Sequence, residues 1–275
     1  MCVRTRGIGA AKDLAAAVAR RVLGEKEDNM SGHSKWATIK RKKGALDAKR
    51  GAVFTKIIKE IMVSARAGSS LDGNARLRMA VLKAKAANMP KDNIDRAIKK
   101  GAGELDGQEF VELSYEAYAP GGVALLIETL TDNKNRTAAD VRMILTKGNG
   151  QLATVGSVTR LFDRKGYIVL DGEKTTEDAV MEIALEAGAE DIVDNGSIEV
   201  TTAPADFEKV LEAITKAGLA TEMAEISLIP QARVAPDKET AEKIVALIDH
   251  LEENDDVQNV YHNLDTSILD DGSEE

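Results

Sequence analysis

The stretch YIVLDGEKTTEDAVMEIALEAGAEDIVDNGSIEVTT, residues 167–202, changes its hydrophobic period from strand to helix and back, and it predicts the fold around it. It begins with an apolar run typical of a buried strand. Residues 176–187 then have the apolar spacing of a helix, and Gly188 follows as a helix-ending glycine. Two short strands flank the sequence Asp194-Asn195-Gly196, which is typical of a tight hairpin turn.

The elements on either side extend this pattern. A helix over 204–217 and a strand over 220–229 complete the order strand–helix–strand–strand–helix–strand, which is the ferredoxin-like unit. Further strands are predicted over 110–119, 123–130, 157–162 and 257–262, with helices that end near Lys147 and Glu253. We expect these flanking elements to close a discontinuous α/β domain, about 104–164 plus 231–268, into which the ferredoxin-like domain, 165–230, is inserted.

Three amphipathic helices are predicted ahead of these domains, over 45–67, 74–87 and 90–101. They form a basic helical domain, 30–103, and the residues before 45 are its leading arm. The predicted fold class is therefore α+β: an N-terminal helical domain followed by two α/β domains, the last ferredoxin-like and inserted into the middle one. Residues 269–275 are predicted to be an acidic tail.

The first 29 residues are interpreted as a non-native or disordered extension. The codons for Lys26-Glu27-Asp28 can spell a purine tract like a bacterial ribosome-binding site, a short distance before Met30. A start at Met30 is therefore our hypothesis. A mitochondrial presequence is the alternative, because the segment is Arg-bearing and rich in alanine.

Composition excludes several classes of function. The chain has 275 residues with 30% charged residues, one cysteine and three histidines, and no apolar run approaches the roughly 20 residues that span a bilayer. No metal-ligand spacing, phosphate-binding glycine loop or nucleophile motif is present. We therefore predict a cytoplasmic protein that is not an enzyme, with no catalytic residue, metal, cofactor, membrane contact or small-molecule substrate.

Positive and negative charge are segregated along the chain. Residues 30–101 hold 18 Lys and Arg against 5 Asp and Glu, a net charge of +13, whereas residues 102–275 carry a net charge of −24. Such asymmetry is typical of a protein that binds a partner carrying a strong charge of one sign. Lys and Arg that neutralise phosphates release condensed counterions, so the basic half predicts a nucleic-acid partner.

The candidate nucleic-acid contacts come from the basic domain and from the loop 131–137. They are Lys35, Trp36, Lys40, Arg41, Lys42, Lys43, Lys49, Arg50, Lys56, Lys59, Arg76, Lys83, Lys134 and Arg136. Trp36 can stack on an exposed base, or it can cover the end of the helical domain. The helix lysines can instead be a solvated face, and the loop can be an ordinary turn capped by Asn and Asp side chains.

Several stretches together resemble the YebC/PmpR family. They are GHSKWATIKRKKGALDAKRGAVFTKIIKEI (32–61), NMPKDNIDRAIKKGAGE (88–104), YEAYAPGGVALLIETLTDNKNRT (115–137) and GSVTRLFDRKG (156–166). The resemblance covers about 30–266. It implies one helical and two α/β domains and a DNA-binding transcriptional regulator. It also implies relatives that activate mitochondrial translation or act on ribosomes stalled at proline-rich stretches.

Three functions therefore stay open at the level of sequence. The first is DNA-binding transcriptional regulation. The second is translation control by a factor that binds ribosomal RNA, since shaped RNA suits a basic arm with little sequence-reading machinery. The third is a protein–protein module whose basic face docks an acidic partner. The sequence leaves the oligomeric state open.

Overall fold

A computed structural model describes residues 50–106, 109–172, 174–194 and 197–269, with the side chain of Arg50 excepted. Its helices are α1 (Arg50–Ala65), α2 (Ala75–Ala86), α3 (Lys91–Gly101), α4 (Lys134–Lys147), α5 (Glu177–Ala187), α6 (Phe207–Lys216) and α7 (Lys238–Glu253). Its strands are β1 (Val111–Tyr118), β2 (Ala124–Thr131), β3 (Gln151–Leu152), β4 (Phe162–Asp171), β5 (Ala189–Asp194), β6 (Ser197–Thr202), β7 (Thr221–Pro230) and β8 (Val257–His262). The extension 1–29, the leading arm and all of the acidic tail 269–275 except Leu269 lie outside the described residues.

Helices α1–α3 pack around one apolar core and form what we call the bundle, residues 50–101. Ile61, Leu77 and Ala84 are fully buried in it. Asn74 caps α2, because its side chain accepts a hydrogen bond from the backbone N–H of Leu77. Within the described residues the three predicted helices are confirmed, because the apolar spacing of the sequence marks the faces that meet; residues 45–49 of the first predicted helix lie outside the described part.

The first sheet has the strand order β3-β1-β2-β8, with antiparallel pairing throughout. Helices α4 and α7 cover one face, where Val141 and Ile244 meet Leu125 and Ile127. The other face packs against Val158 and Phe162. Strand β2 is therefore buried on both faces, which explains why its first four residues, Ala124–Ile127, form an unbroken apolar run.

The second sheet has the strand order β5-β6-β4-β7 and is also antiparallel. Helices α5 and α6 cover one face through Val180, Ala184, Val210 and Ile214. This order is that of a ferredoxin-like unit, and β8 rejoins the first sheet after β4–β7. The predicted α+β class, with a helical region followed by α/β parts, is confirmed. We call residues 109–269 the body.

One predicted pair of strands is wrong. The composition of Asp163-Arg164-Lys165-Gly166 predicts a turn between strands at 157–162 and 167–170, but β4 continues through it, and a 3-10 turn precedes it at Thr159–Leu161. Residues 162–166 pair with 226–230 of β7, which satisfies their backbone groups across the sheet. The expected domain boundary at 164/165 therefore falls inside one strand, and the division into domains stays a prediction.

A buried carboxylate holds the segment that leads into β4. Glu116 of β1 accepts hydrogen bonds from the backbone N–H groups of Gly156, Val158 and Thr159 and from the hydroxyl of Thr159. Burial by itself would raise the pKa of Glu116, but these hydrogen bonds outweigh burial and hold the pKa below its ordinary value. The charged carboxylate therefore fixes the conformation of this segment.

Replacing Glu116 by glutamine is expected to lower the free energy of unfolding by about 2 kcal/mol at pH 7, because a charged acceptor is removed and an amide N–H₂ faces backbone donors. Because the pKa is lowered, this contribution is fully present above the ordinary glutamate pKa of about 4.3 and is lost as the pH falls through the lowered pKa. Urea unfolding of both proteins from pH 7 to pH 3 measures the difference, which should shrink in acid. Glu182→Gln, on the exposed face of α5, is the control, and an equal effect of both substitutions would contradict the assignment.

Candidate nucleic-acid interface

More than half of the predicted contact residues lie where the structure gives no side-chain position. Lys35, Trp36, Lys40–Lys43 and Lys49 lie outside the described residues, and Arg50 is described as the first residue of α1 without its side chain. Their assignment to nucleic acid stays a prediction. The bundle itself carries 12 Lys and Arg against 4 Asp and Glu, and its described basic side chains divide into two groups.

The first group is bonded inside the protein, and Lys59 is its most buried member. The ammonium of Lys59 donates to the carboxylate of Asp256 at 2.8 Å, to the carbonyl of Asp255 at 2.8 Å and to the carbonyl of Leu130 at 3.4 Å. It also lies 5.4 Å from the ring centre of Phe110. All three ammonium hydrogens are thus committed to protein oxygens. Lys59 therefore lies between bundle and body, and the interpretation of it as part of a solvated face is wrong.

Asp256 also binds Arg136, a second residue of the predicted contact set. Its other carboxylate oxygen accepts hydrogen bonds from Arg136 at 2.7 Å, Thr137 at 2.8 Å and Thr131 at 3.2 Å. Burial by itself would raise the pKa of Asp256, but the hydrogen bonds from Lys59, Arg136 and Thr137 outweigh it and lower the pKa to about 2. We call these five residues, Lys59, Thr131, Arg136, Thr137 and Asp256, the joint cluster.

The loop 131–137 also has the capping geometry of an ordinary turn. Asn133 accepts a hydrogen bond from the backbone N–H of Arg136 and begins α4, and Asp132 pairs with Arg136 at 2.9 Å. Arg136 is half exposed, so it retains some access to solvent. Lys134 is exposed at the first position of α4. The structure thus brings Arg136 and Lys59 together and leaves Lys134 on the surface.

The remaining members of the first group also have acceptors. Lys56 donates to the carbonyl of Glu252 at 2.6 Å, and Lys83 lies 3.7 Å from the carboxylate of Glu60. Arg76 forms an ion pair with Glu112. Two residues outside the predicted contact set behave in the same way, since Arg66 donates to the carbonyl of Phe110 and Arg78 to the carboxylate of Glu208.

The second group is exposed and consists of residues outside the predicted contact set. We call it the open basic set: Lys85, Lys91, Arg96, Lys99 and Lys100. Within the described ranges, none of its members forms an ion pair. The sequence contains a signal for the α3 members of this set. Ile94 and Ala97 mark the buried side of α3, so the charged residues between and beside them lie on the outer side.

A groove of about 890 Å³ runs between bundle and body. Its lining includes the apolar side chains of Ile58, Met62 and Phe110. It also includes Lys59, Arg136 and Asp256 of the joint cluster together with Lys100. Five further carboxylates or amides line it, namely Asp106, Asp132, Asp140, Asn254 and Asp255. Its mixed charge does not resemble a phosphate cradle. Asp256 is the central residue here, and no motif in the sequence distinguishes it from its neighbour Asp255.

The described residues offer neither a metal site nor a membrane span. Across 50–106, 109–172, 174–194 and 197–269, no group of three His, Cys, Asp or Glu side chains is placed to hold a metal ion. Over the same ranges, no helix has both the length and the apolar character needed to cross a membrane.

These features define a class of α+β protein in which a small basic bundle is tied by charged contacts to an acidic α/β body. Two family descriptions match the chain: "TACO1/YebC protein N-terminal domain" over residues 34–104 and "TACO1/YebC second and third domain" over residues 110–264. The chain belongs to the TACO1/YebC family. The resemblance seen in the sequence is thereby confirmed.

Individual relatives agree with this assignment over most of their length. A protein of Borrelia garinii subsp. bavariensis is 59% identical over 86% of this chain and 98% of its own length, and one of Treponema pallidum (strain Nichols) is 59% identical over 86% and 97%. Both are named probable transcriptional regulatory proteins. The crystal structure of a conserved hypothetical protein from Aquifex aeolicus matches with a TM-score of 0.73 and 46% identity, over 80% of this chain and 91% of that one.

Proposed function

We propose that this chain is a nucleic-acid-binding regulator of gene expression whose bundle contacts phosphates through the open basic set, together with the basic residues that precede α1. The observation that carries the proposal is the exposure of five Lys and Arg side chains on α2 and α3 without ion-pair partners in the described part of the chain. Charges in this state are available to a polyanion without first breaking a bond inside the protein.

The negative charge of the rest of the chain favours one orientation of an approaching polyanion. Residues 102–275 carry a net charge of −24 and repel a polyanion, whereas the bundle carries 12 basic and 4 acidic side chains. A polyanion is therefore expected to meet the bundle first. The names of the Borrelia and Treponema relatives support DNA as the polyanion and transcriptional regulation as the role.

The dependence of affinity on salt tests the proposal. The chain is titrated against a DNA duplex of about 30 base pairs and an RNA of the same sequence at several salt concentrations. Replacing Lys85, Lys91, Arg96 and Lys99 together by glutamine is expected to weaken duplex binding more than about tenfold. It should also reduce the slope of log affinity against log salt by about 0.9 for each phosphate that the variant no longer neutralises.

A matched variant controls for net charge. Arg142, Lys147, Arg164 and Lys209 are exposed basic residues of the body, and their replacement by glutamine removes the same four charges. For this control variant, the slope of log affinity against log salt should stay near that of the unmodified chain. Equal slopes for the two variants would refute the role of the open basic set. Tighter binding of RNA, with crosslinks to ribosomal RNA in cells, would replace transcriptional regulation by translation control.

A further inference from the structure

Five basic side chains of the bundle form hydrogen bonds to the body, and these bonds share one feature. Those made by Lys56, Lys59, Arg66, Arg76 and Arg78 all run from a basic side chain of the bundle to a carboxylate or carbonyl of the body. The bundle is thus held to the body by the kind of contact that it would offer to a phosphate backbone. Oxygen atoms of the acidic body therefore bind some of the basic side chains that the bundle could otherwise offer to a phosphate.

These crossing contacts differ in how readily a polyanion could exchange them. In the pair Lys59–Asp256 the side chains are 10% and 6% exposed, so a phosphate cannot reach it without opening the interior. In the pair Arg76–Glu112 they are 53% and 50% exposed, and in the pair Arg78–Glu208 they are 35% and 54% exposed. Exposed pairs contribute little to stability, so their exchange costs little.

The arginine of each exchangeable pair lies on α2, but the two carboxylates belong to different parts of the body. Glu112 is on β1 of the first sheet, and Glu208 is on α6, which covers the second sheet. Met79, which follows the two arginines on α2, packs against the apolar core of the second sheet. The same helix carries Lys85 of the open basic set. A polyanion bound at Lys85 therefore lies on the helix that also holds the two paired arginines.

We propose that Glu112 and Glu208 are internal competitors for the phosphates that the bundle binds, and that Arg76 and Arg78 exchange these carboxylates for phosphates when nucleic acid is bound. The inference rests on the proposed function and adds two phosphate-contacting arginines to it. Arginine forms bidentate, charge-assisted hydrogen bonds with phosphate, so each new contact replaces a comparable internal one. The joint cluster stays intact and keeps the bundle on the first sheet during the exchange.

Removing the two competitors should strengthen binding. The variant Glu112→Gln/Glu208→Gln is compared with Glu182→Gln/Glu186→Gln, which makes the same change in net charge at exposed positions of α5. The probe is a fluorescent DNA duplex of about 30 base pairs at constant salt. The first variant is expected to bind about two- to tenfold more tightly than the second, because two exposed ion pairs no longer have to be broken.

A second measurement separates competition from a merely loosened structure. Arg76→Gln/Arg78→Gln is made both in the unmodified chain and in the Glu112→Gln/Glu208→Gln variant, and thermal unfolding is recorded for each protein. The arginine substitutions should cost more affinity in the variant, where the arginines bind phosphate without competition, than in the unmodified chain, where breaking the internal pairs offsets part of the gain.

The outcomes distinguish this inference from the proposed function. Binding of the unmodified chain together with equal affinities of the two glutamate variants would overturn the competition and leave the proposed function standing. An equal cost of the arginine substitutions in both backgrounds would overturn it as well. If neither the unmodified chain nor any variant binds the duplex or the RNA of the same sequence at low salt, both the proposed function and the competition are refuted.

Discussion

Replacing Asp256 by alanine is expected to lower the free energy of unfolding by about 3–5 kcal/mol at pH 7, because the ammonium of Lys59 then stays buried without its counter-charge. The two neighbouring threonine hydroxyls, Thr131 and Thr137, are deprived of a shared acceptor at the same time. The pKa of about 2 means that this stabilisation is present above the ordinary aspartate pKa of about 3.9 and disappears as the pH falls through about 2. Chemical denaturation between pH 7 and pH 2 measures both effects.

The adjacent residue provides the control for this prediction. Asp255 is exposed, and its backbone carbonyl, not its side chain, accepts a hydrogen bond from Lys59. Because alanine keeps that carbonyl, Asp255→Ala should change the free energy of unfolding by less than about 0.5 kcal/mol. The double variant Lys59→Met/Asp256→Leu should cost less than Asp256→Ala, because it leaves no unpaired ammonium. A destabilisation by Asp256→Ala no larger than that by Asp255→Ala would show that the cluster does not secure the bundle.

Replacing Gly101 by valine is expected to destabilise the chain by about 3 kcal/mol, because α3 ends against α1 with no room for a side chain. A Cβ at this position would overlap the carbonyl oxygen of Met62 and lie 2.8 Å from the Cβ of Ala65. The overlapped atom belongs to the backbone, so the helices themselves would have to separate. Thermal unfolding should show this separation as a lowered melting temperature.

Gly73 offers a matched comparison for this substitution. Nothing lies within 4 Å of a Cβ built there, so Gly73→Val should change stability by less than about 1 kcal/mol. Similar melting temperatures for the two variants would contradict the close approach of α1 and α3. Gly101 is recognisable in the sequence as the end of a helix, but its approach to Met62 is not.

The sequence predicts those features that depend on local periodicity. The apolar spacing of α1–α3, the hairpin signal between β5 and β6, and the helix-ending residues identify most elements in the correct order. The family resemblance and the segregation of charge are visible in the same way. The error at Asp163-Arg164-Lys165-Gly166 arises because turn-like composition is a local signal, whereas pairing with 226–230, about 60 residues later, makes the segment a strand.

Which positive charges are available to a partner is decided by the tertiary structure. Hydrophobic spacing tells which side of a helix meets its own bundle, and by that rule Lys59 of α1 and Lys99 of α3 both face outward. The body then covers the outward side of α1 and leaves Lys99 exposed. Asp256 gains its role in the same way, because Lys59, 197 residues earlier, comes within 2.8 Å of its carboxylate only in the folded chain. Sequence alone determined the fold class and the segregation of charge between the basic helices and the acidic remainder, and only the tertiary contacts separated the basic residues that hold the protein together from those that face solvent.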